Sequence, residues 1–314
     1  MMLCVTWALF NNAVARSNFY PSKPVRYIIP FPPGGITDAL ARVIGEHMYN
    51  VWGQPVVNEY RPGASGTIGT EIAARSTSDG YTLLGGAINT HAINASLYKL
   101  PYDPLKDFVP VTMIATTTNI MVTSPNHQAK NLNDFIWLAK NQTIPMKFAS
   151  GGSGTSGHLA SELLNIMIGT KMVHIPYKGS QLAIGEVING QIDFMIDLSS
   201  MPLIKSGKLR AIGVTSLHRL STLPDVPAIS ESIPGFQISS WQGLFVPSNT
   251  PRDIVTKLNM EVRRGLNTPQ SKLRIEELGA EVSTNTSESF AEYIRTEITK
   301  WNTVIKTAGI KLQM

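Results

Sequence analysis

Residues 151–158 read GGSGTSGH, and this stretch indicates the fold class of the chain. Gly152, Gly154 and Gly157 have the spacing G-x-G-x-x-G, which is typical of a turn that binds a dinucleotide phosphate. The apolar run Met146–Ala149 precedes the turn, and a helical pattern over residues 158–164 follows it. A strand, a small-residue loop and a helix in that order form the repeating unit of an α/β fold.

The same unit recurs along the chain, with a small-residue loop between an extended apolar run and the next segment. This alternation predicts an α/β fold with largely parallel sheets. The other loops are FPPGGITD (31–38), RPGASGTIG (61–69), GGAINTH (85–91), PYKGS (176–180) and DLSS (197–200), and the apolar runs before them begin at Val25, Pro55, Tyr81, Met172 and Gln191.

Two more extended stretches, Val109–Val122 and Phe236–Val246, bracket the middle third of the chain. A chain that leaves one domain, builds a second and returns needs two such crossings. We therefore expect one lobe to comprise residues 16–115 and 243–314, and the other to comprise residues 116–242.

The C-terminal part has the pattern of helices. Thr250 and Thr268 each precede a proline, as an N-cap precedes Pro at the first helical position. The last helix is predicted to place five apolar side chains on one face, and Gly309 is predicted to end it. These side chains are Phe290, Ile294, Ile298, Trp301 and Ile305.

Composition limits the possible functions. The 314 residues are 43% hydrophobic and 16% charged, which is ordinary for a globular protein and enough for two domains. The net charge of +5 is spread along the chain without a Lys/Arg run, so we expect no nucleic-acid partner. A mildly basic balance does suit an anionic ligand.

The N-terminus has the features of an export signal. An apolar stretch over residues 2–10 is too short to span a bilayer, and Ala13–Ala15 matches an A-x-A cleavage site. We expect residues 1–15 to be a signal peptide; a disordered or membrane-tethered N-terminus is the alternative. Because Cys4 is the only cysteine, its removal excludes disulfides and thiolate metal sites.

The dinucleotide interpretation fails one sequence test. A nucleotide-binding unit carries an acid at the end of the next strand, about 20 residues on, for the ribose hydroxyl. Here that strand ends Ile175–Lys178, which contains no acid, and Glu162 lies too early. We therefore expect neither a nicotinamide nor a flavin.

The loops instead favour an anion site. Each delivers a helix N-terminus, where unpaired N–H groups and the helix dipole attract negative charge. Any one loop alone is adequately explained as a turn with a cap. Several loops of the same chemistry at strand ends, with only Arg61 and Lys178 as nearby cations, favour a ligand held by neutral donors.

Enzyme signatures are missing from the sequence. There is no G-x-S-x-G, and the six histidines have no zinc-ligand spacing, so we expect no metal. His158, in a first helical turn, is predicted to brace its loop by hydrogen bonding. Asp38 either satisfies backbone N–H groups or contacts a ligand, and Asp197 either contacts a ligand or braces its loop.

Taken together, these stretches resemble a known family. YPSKPVRYIIPFPPGGITDALAR (20–42), VVNEYRPGASGTIGTEIAA (56–74), FASGGSGTSGHLASELL (148–164) and IPYKGSQLAIGEVINGQIDFMID (175–197) are similar to the solute receptors of tripartite tricarboxylate transporters, the Bug or TctC family. The resemblance extends over nearly the whole chain after residue 20.

The resemblance implies a type II periplasmic binding protein fold, in which two α/β lobes joined by two crossing strands close on a ligand. The implied ligand is a di- or tricarboxylate, an acidic amino acid or an aromatic acid, and the implied partner is a membrane permease. We expect a periplasmic monomer without cofactor or enzymatic activity. The alternatives are a sensor subunit and an enzyme that uses His158 or Asp38 as base.

The resemblance also implies which residues hold the carboxylate. They offer main-chain donors and hydroxyl groups of the loops. Asp197 is implied as an acceptor for a ligand amine, hydroxyl or protonated acid, and Ile36 adds a bulky side chain that has no hydroxyl. The implied set is Phe31, Gly34, Gly35, Ile36, Thr37, Ala64, Ser65, Gly66, Thr67, Asn89, Thr90, Ser150, Gly152, Ser153, Thr155, Tyr177 and Asp197.

Overall fold

The computed structural model describes residues 20–177, 179–307 and 309. The expected signal peptide with Cys4, and the cation Lys178, lie outside the described residues. The strands are β1 (Val25–Ile29), β2 (Val56–Tyr60), β3 (Thr82–Ala87), β4 (Phe108–Thr118), β5 (Ile120–Thr123), β6 (Lys147–Ser150), β7 (Val173–Pro176), β8 (Phe194–Asp197), β9 (Arg210–Val214), β10 (Ser239–Pro247) and β11 (Ala280–Val282).

Helices alternate with most of these strands. They are α1 (Ile36–Trp52), α2 (Thr67–Ala74), α3 (Asn94–Leu97), α4 (Leu132–Asn141), α5 (Ser156–Ile168), α6 (Ser180–Ile188), α7 (Met201–Lys205), α8 (Ile229–Ser232), α9 (Arg252–Leu266), α10 (Pro269–Glu277) and α11 (Ser287–Thr307). A 3₁₀ turn at Ala64–Gly66 precedes α2, and a π-helix at Asn89–Ile93 precedes α3. Within the described ranges, no helix combines the length and the apolar character needed to cross a bilayer.

The strands form two mixed sheets, each the centre of one lobe. The first lobe has the order β11-β4-β10-β3-β1-β2, and the second has the order β7-β6-β8-β5-β9. Strands β1, β2 and β3 are parallel, as are β6, β7 and β8. The prediction of an α/β fold is confirmed, although β4, β5, β10 and β11 add antiparallel pairs.

The two predicted crossings pair with each other. Strand β4 runs antiparallel to β10 from Phe108, opposite Pro247, to Thr118, opposite Ser239. After β4 the chain continues directly into β5 of the second sheet, and it returns through β10. The register shifts between Gln242 and Gly243, as at a β-bulge, where an irregular ladder bends a strand.

Side chains of each sheet alternate between two apolar cores, as the two-residue period of a strand requires. In β1, Tyr27 and Ile29 belong to the core under α1 and α9, while Ile28 faces the core of α2 and α11. That second core is continuous with Phe148 and Phe194 of the other sheet. One apolar cluster therefore connects the two lobes.

Strand β3 extends beyond its predicted end. Gly85 and Gly86, assigned from sequence to a loop, are the fourth and fifth residues of a fully buried strand. A methyl group added at Gly85 would lie 2.8 Å from Thr37 Cγ2, and one at Gly86 would lie 2.6 Å from Phe245 Cε2. These glycines are present because neighbours pack against the backbone, and such contacts leave no local sequence pattern.

The predicted helix caps have mixed outcomes. Thr268 caps α10 by accepting a hydrogen bond from the Ser271 N–H, with Pro269 at the first position, as predicted. The prediction for Thr250 is wrong: α9 begins at Arg252, and the Thr250 hydroxyl donates to the Pro247 carbonyl instead. Because the Thr250 hydroxyl is bonded within the turn after β10, it does not cap α9.

The predicted apolar face of α11 is confirmed, and it carries one acid. Phe290, Ile294, Trp301 and Ile305 are buried. The carboxylate of Glu297 accepts hydrogen bonds from Trp241 Nε1 at 3.2 Å and from Trp301 Nε1 at 3.1 Å. Since Trp241 lies on β10, this bond pair fixes α11 to the returning crossing strand.

Replacing Glu297 by Leu should destabilise the protein by about 2–5 kcal/mol, because two fully buried indole N–H groups lose their acceptor. Glu297→Gln, which keeps one acceptor oxygen, should cost less. Urea denaturation measures both, with Glu292→Leu at an exposed position of the same helix as the control. Equal midpoints for Glu297→Leu and the control would contradict this account.

A second prediction concerns His91, which is fully buried and stacks on Phe245 with ring centroids 3.7 Å apart. Burial lowers the pKa of His91 to about 3, and its Nε2 lacks a hydrogen-bond partner. Between about pH 6.5 and 3, the unfolded chain therefore binds a proton that the folded chain does not. Stability should fall as pH decreases across this window, by up to about 1.4 kcal/mol per pH unit from this group.

The variant His91→Phe keeps a stacked ring and removes the titrating group. Its unfolding free energy should therefore depend less on pH than that of the unaltered protein when urea midpoints are compared at pH 7, 6 and 5. His218→Phe, at an exposed position, should keep the original dependence. Parallel pH curves for the unaltered protein and His91→Phe would refute the assignment.

Candidate functional site

The first site loop joins β1 to α1. Gly34, with φ of +84°, donates its N–H to Asp38 Oδ2 at 2.8 Å, so this N–H has an internal partner. Gly35 and Ile36 stand at the start of α1, where N–H groups have no partner within the helix. The loop therefore offers the N–H groups of Gly35 and Ile36 rather than that of Gly34.

Asp38 braces this loop with both carboxylate oxygens. It accepts from Gly34, from the Tyr60 hydroxyl at 2.9 Å and from Arg42 Nε at 2.9 Å. Burial opposes ionisation, but these hydrogen bonds outweigh it and lower the pKa of Asp38. Of its two proposed roles, the geometry shows the satisfaction of backbone and side-chain donors, and a carboxylate so engaged is a poor base.

The second loop, between β2 and α2, has an unusual backbone. Ala64, Ser65 and Gly66 all have positive φ, at 46°, 54° and 89°. Residues other than glycine rarely adopt this region, and such backbone strain often occurs at ligand sites. The Ser65 carbonyl accepts from Asn94 Nδ2 at 3.1 Å, which holds the turn in place.

The three loops of the first lobe meet at Gly66. A methyl group added there would lie 2.7 Å from Thr90 Cγ2 and 3.2 Å from Phe31 Cε1. Thr90 and Asn89 open the π-helix directly after β3, and π-helices often occur at functional sites. The structure thus brings together predicted residues from the ends of β1, β2 and β3.

The hydroxyl of Thr37, another predicted residue of the first lobe, has an internal partner. The Thr37 hydroxyl donates to Gln242 Oε1 at 2.7 Å, which ties the start of α1 to β10. Thr67 begins α2 and is half-buried. Thr37 is therefore a support of the site in this structure, and its hydroxyl reaches the crossing strand rather than the open side of the loop.

In the second lobe, the glycine-rich loop joins β6 to α5. Thr155 caps α5 by accepting the His158 N–H, and its hydroxyl donates to the Gly152 carbonyl at 2.8 Å. A methyl group at Gly157 would lie 2.0 Å from the Ile196 carbonyl oxygen, so this glycine allows α5 to pack on β8. The third glycine of the fingerprint thus serves helix–strand packing without a dinucleotide.

The second-lobe loops are also close to one another. The Tyr177 N–H donates to the Ser150 carbonyl at 3.0 Å, and the Gly179 N–H donates to the Gly151 carbonyl at 3.2 Å. Ser153 is exposed at the tip of the loop. The loops after β6 and β7 therefore form one surface at the carboxyl ends of their strands.

Asp197 ends β8 and is almost fully buried, with 6% of its surface exposed. Its Oδ2 accepts three hydrogen bonds, from the Ser199 N–H at 2.6 Å, the Ser199 hydroxyl at 2.7 Å and the Ser200 hydroxyl at 3.2 Å. Its Oδ1 takes part in none of these three. Asp197 therefore braces its loop through Oδ2, and Oδ1 does not contribute to these bonds.

A hydrogen bond joins the two lobes between Asn89, a predicted site residue, and Gly154, a glycine of the G-x-G-x-x-G stretch that was not among the predicted site residues. Asn89 Nδ2 of the first lobe donates to the Gly154 carbonyl of the second at 3.4 Å. The loops at the carboxyl ends of both sheets therefore face each other across one cleft.

The arginines beside the first-lobe loops are paired. Arg61 Nε donates to Glu59 Oε1 at 2.6 Å, and Arg26 binds the same carboxylate. The hydrogen bond from Arg26, with help from Arg61, lowers the pKa of Glu59 to about 2. Arg42 is paired with Asp38. Arg61 therefore shares the one negative charge of Glu59 with Arg26, and this group of three side chains keeps a net positive charge.

Two residues with roles at the cleft differ in how well the sequence predicted them. His158 accepts the Gly154 N–H at Nδ1, at 3.0 Å, which confirms its predicted role as a loop brace. Asn119, between β4 and β5, was missed: it is buried, it accepts from Ser156 at 3.3 Å, and its Nδ2 has no hydrogen-bond partner among the described residues. An asparagine within the predicted crossing Val109–Val122 was the available signal.

Comparisons with known proteins agree with this geometry. The model of the tripartite tricarboxylate transporter family receptor matches residues 40–310. BugT of Bordetella pertussis is 35% identical over 311 residues, which cover 96% of this chain and 94% of BugT.

Two solved structures from Rhodopseudomonas have similar folds. An R. palustris protein with adipate is 33% identical, with a TM-score of 0.82 over 93% of this chain and 99% of that one. MatC from Rhodopseudomonas palustris with bound malate is 32% identical, with a TM-score of 0.77 over 91% of this chain and 100% of MatC. Together with the two-lobed fold, these matches show that the chain belongs to the tripartite tricarboxylate transporter receptor family, whose members are periplasmic solute-binding proteins rather than enzymes.

Proposed function

We propose that the chain is an extracytoplasmic receptor that binds a small carboxylate between its lobes and delivers it to the membrane subunits of a tripartite tricarboxylate transporter. The observation that carries this proposal is that the loops of one lobe face those of the other, with a hydrogen bond from Asn89 to the Gly154 carbonyl between them. Relatives with adipate and with malate support a carboxylate as the ligand.

Neutral donors are the chemical basis of the proposed site. The starts of α1, α2 and α5 present N–H groups without helical partners, and each helix dipole adds about 0.3–1 kcal/mol of attraction for an anion. Arg42 and Arg61 are already engaged with acids, so these N–H groups are the donors that contact the ligand in this proposal, and the net positive charge around Glu59 adds attraction at longer range. A cleft of this kind binds an anion while keeping its own net charge low.

In this proposal Asp197 contacts the end of the ligand that lies farthest from the carboxylate held by the N–H groups. A carboxylate oxygen that is not used by the serines can accept from an amine, a hydroxyl or a protonated acid. An ionised second carboxylate would instead face the charge of Asp197, which is unfavourable at short range. The proposal therefore favours carboxylates that carry a donor at the far end.

In this proposal one lobe comprises residues 16–115 and 243–314, and the other comprises residues 116–242. We place the hinge where these two lobes meet. Ala115 and Gln242, at these boundaries, are paired across β4 and β10, and the register shift follows at Gly243. Bending there would bring the facing loops together. Closure would be a shift in population, driven by contacts that the ligand makes only in the closed form.

The cellular setting follows from the family. We infer export to the periplasm after removal of residues 1–15, and action as a monomer that docks on its permease. The observation in favour is the family's periplasmic location, and mass spectrometry of the N-terminus of the exported protein would identify the cleavage site.

A thermal-shift screen against carboxylic acids tests the proposed function, with adipate, malate, glutamate and benzoate as first probes. A true ligand at 100 times its Kd should add about 2.7 kcal/mol to the unfolding free energy. Gly66→Ala should lose most of this gain, because the added methyl group would collide with Thr90 and Phe31.

The matched control is Gly53→Ala. Gly53 also has positive φ, but a methyl group there would meet no atom within 4 Å, and the residue ends α1 away from the loops. It should lose stability but keep the ligand-induced shift. Turnover of a bound acid, or equal loss of the shift in both variants, would sink the proposal.

Asp197→Asn should change the selectivity of binding. The loss of the charge should weaken binding of malate or glutamate about tenfold or more, because hydrogen bonds to ionised groups contribute about 1.5–3 kcal/mol. Adipate, a dicarboxylate without the hydroxyl of malate or the amine of glutamate, should be affected less or bind more tightly. Calorimetric titration at pH 7.5 measures both, and a uniform change for all acids would show that Asp197 only braces its loop.

A further inference from the structure

Gly154 forms hydrogen bonds through both its N–H and its carbonyl, which lie in adjacent peptide planes linked by the φ and ψ of this residue. Its N–H donates to His158 Nδ1 at 3.0 Å, and its carbonyl accepts from Asn89 Nδ2 of the other lobe at 3.4 Å. Gly154 has a φ of +79°, so its orientation depends on a backbone conformation that glycine permits. The hydrogen bond to His158 therefore orients the carbonyl that Asn89 reaches across the cleft.

This arrangement requires one protonation state of His158. To accept from Gly154, Nδ1 must be unprotonated, which places the ring proton on Nε2. Nε2 lies 3.7 Å from Glu162 Oε1, on the same helix, and the His158 side chain is 4% exposed. A second proton on the ring would turn Nδ1 into a donor that faces another donor.

A second histidine extends the brace to the other end of the loop. The ring of His158 stacks on His174, with centroids 3.8 Å apart and planes at 15°, and His174 stacks on Phe148. His174 Nε2 lies 2.7 Å from the Ser150 hydroxyl oxygen, which accepts the Gly152 N–H at 3.2 Å. The stacked pair thus contacts the loop at Gly154, through His158, and at Ser150, through His174, and Ser150 in turn binds Gly152.

Few charges face this pair. Glu162 is the acid on the same helix, and burial, followed by the proximity of His158, lowers the pKa of His174 to about 3. The charged groups on the surrounding elements are either hydrogen-bonded or exposed. Asp197 on β8 is bound by serines, and Lys147 on β6 is exposed. Glu297 on α11 is bound by Trp241, Trp301 and Lys300. A proton on His158 would gain Glu162 as its partner and lose Gly154.

We propose that His158 is the positioning residue of the glycine-rich loop, and that protonation of its ring releases Gly154 and, with it, the bond from Asn89 across the cleft. In neutral solution the loop is held in its binding geometry. In acid it is released, and the lobes lose a contact. The consequence for ligand affinity rests on the proposed function, whereas the coupling of His158 to Gly154 does not.

The ligand-free protein tests the coupling directly. Nitrogen-15 NMR of the histidine side chains at pH 7.5 should show His158 as the Nε2–H tautomer. As the pH is lowered from 8, the amide-proton shift of Gly154 should change together with the nitrogen signals of the His158 ring. In His158→Asn, whose side-chain oxygen accepts but does not titrate, that shift should stay constant, and in His218→Asn, an exposed control, it should behave as in the unaltered protein.

Affinity for adipate provides the functional measurement. Binding to the unaltered protein should weaken about fivefold or more between a pH at which NMR shows the His158 ring neutral and a lower pH at which NMR shows it protonated. His158→Asn should remove most of that change. His158→Phe, which keeps a stacked ring without an acceptor, should bind weakly at both pH values, and circular dichroism confirms that each variant is folded.

Two results would overturn the proposal: an Nδ1–H tautomer at pH 7.5, or a Gly154 amide that does not respond while His158 titrates. Adipate affinity with the same pH dependence in His158→Asn would also overturn it. If adipate does not bind the unaltered protein, that failure concerns the proposed ligand, and the NMR titration still decides the role of His158.

Discussion

The antiparallel pairing of β4 with β10 is the constraint on which the rest of the structure depends. The two strands are the only backbone route between the sheets in the described part of the chain, and they are paired over their whole length. Their ladder places the carboxyl ends of β1 to β3 opposite those of β6 to β8. Glu297 reinforces the arrangement by binding Trp241 on β10 and Trp301 on α11.

Most polar side chains of the candidate site have an internal partner. Asp38 braces the first loop, Thr37 reaches Gln242, and Thr155 caps α5. This removes side-chain freedom before a ligand arrives, so binding loses less entropy. Main-chain N–H groups and one oxygen of Asp197 are among the groups that remain available for a ligand, and neutral donors of this kind are suited to binding an acid.

The glycine-rich loop illustrates how one sequence motif can serve a different purpose. In a dinucleotide fold the third glycine allows close helix–strand packing, and Gly157 has that role here against Ile196. The chain lacks the acid for a ribose, and the preceding turn is instead held by His158 and the ring of His174 behind it. The local geometry of the motif is retained without the acid that a dinucleotide site requires, because helix packing and anion binding require the same small residues.

Features that depend on neighbours along the chain could be predicted from residue order. The strand–loop–helix units, the two crossings, the cap at Thr268 and the apolar face of α11 follow from periodicity and from Gly and Pro. The tertiary structure alone decided that Gly85 and Gly86 lie in a strand, that Thr250 does not cap α9, that Asn89 reaches Gly154, and that His158 stacks on His174. Each of these depends on a partner distant in sequence or on competition for one hydroxyl, and a pattern of residue types along the chain does not record which distant atoms meet.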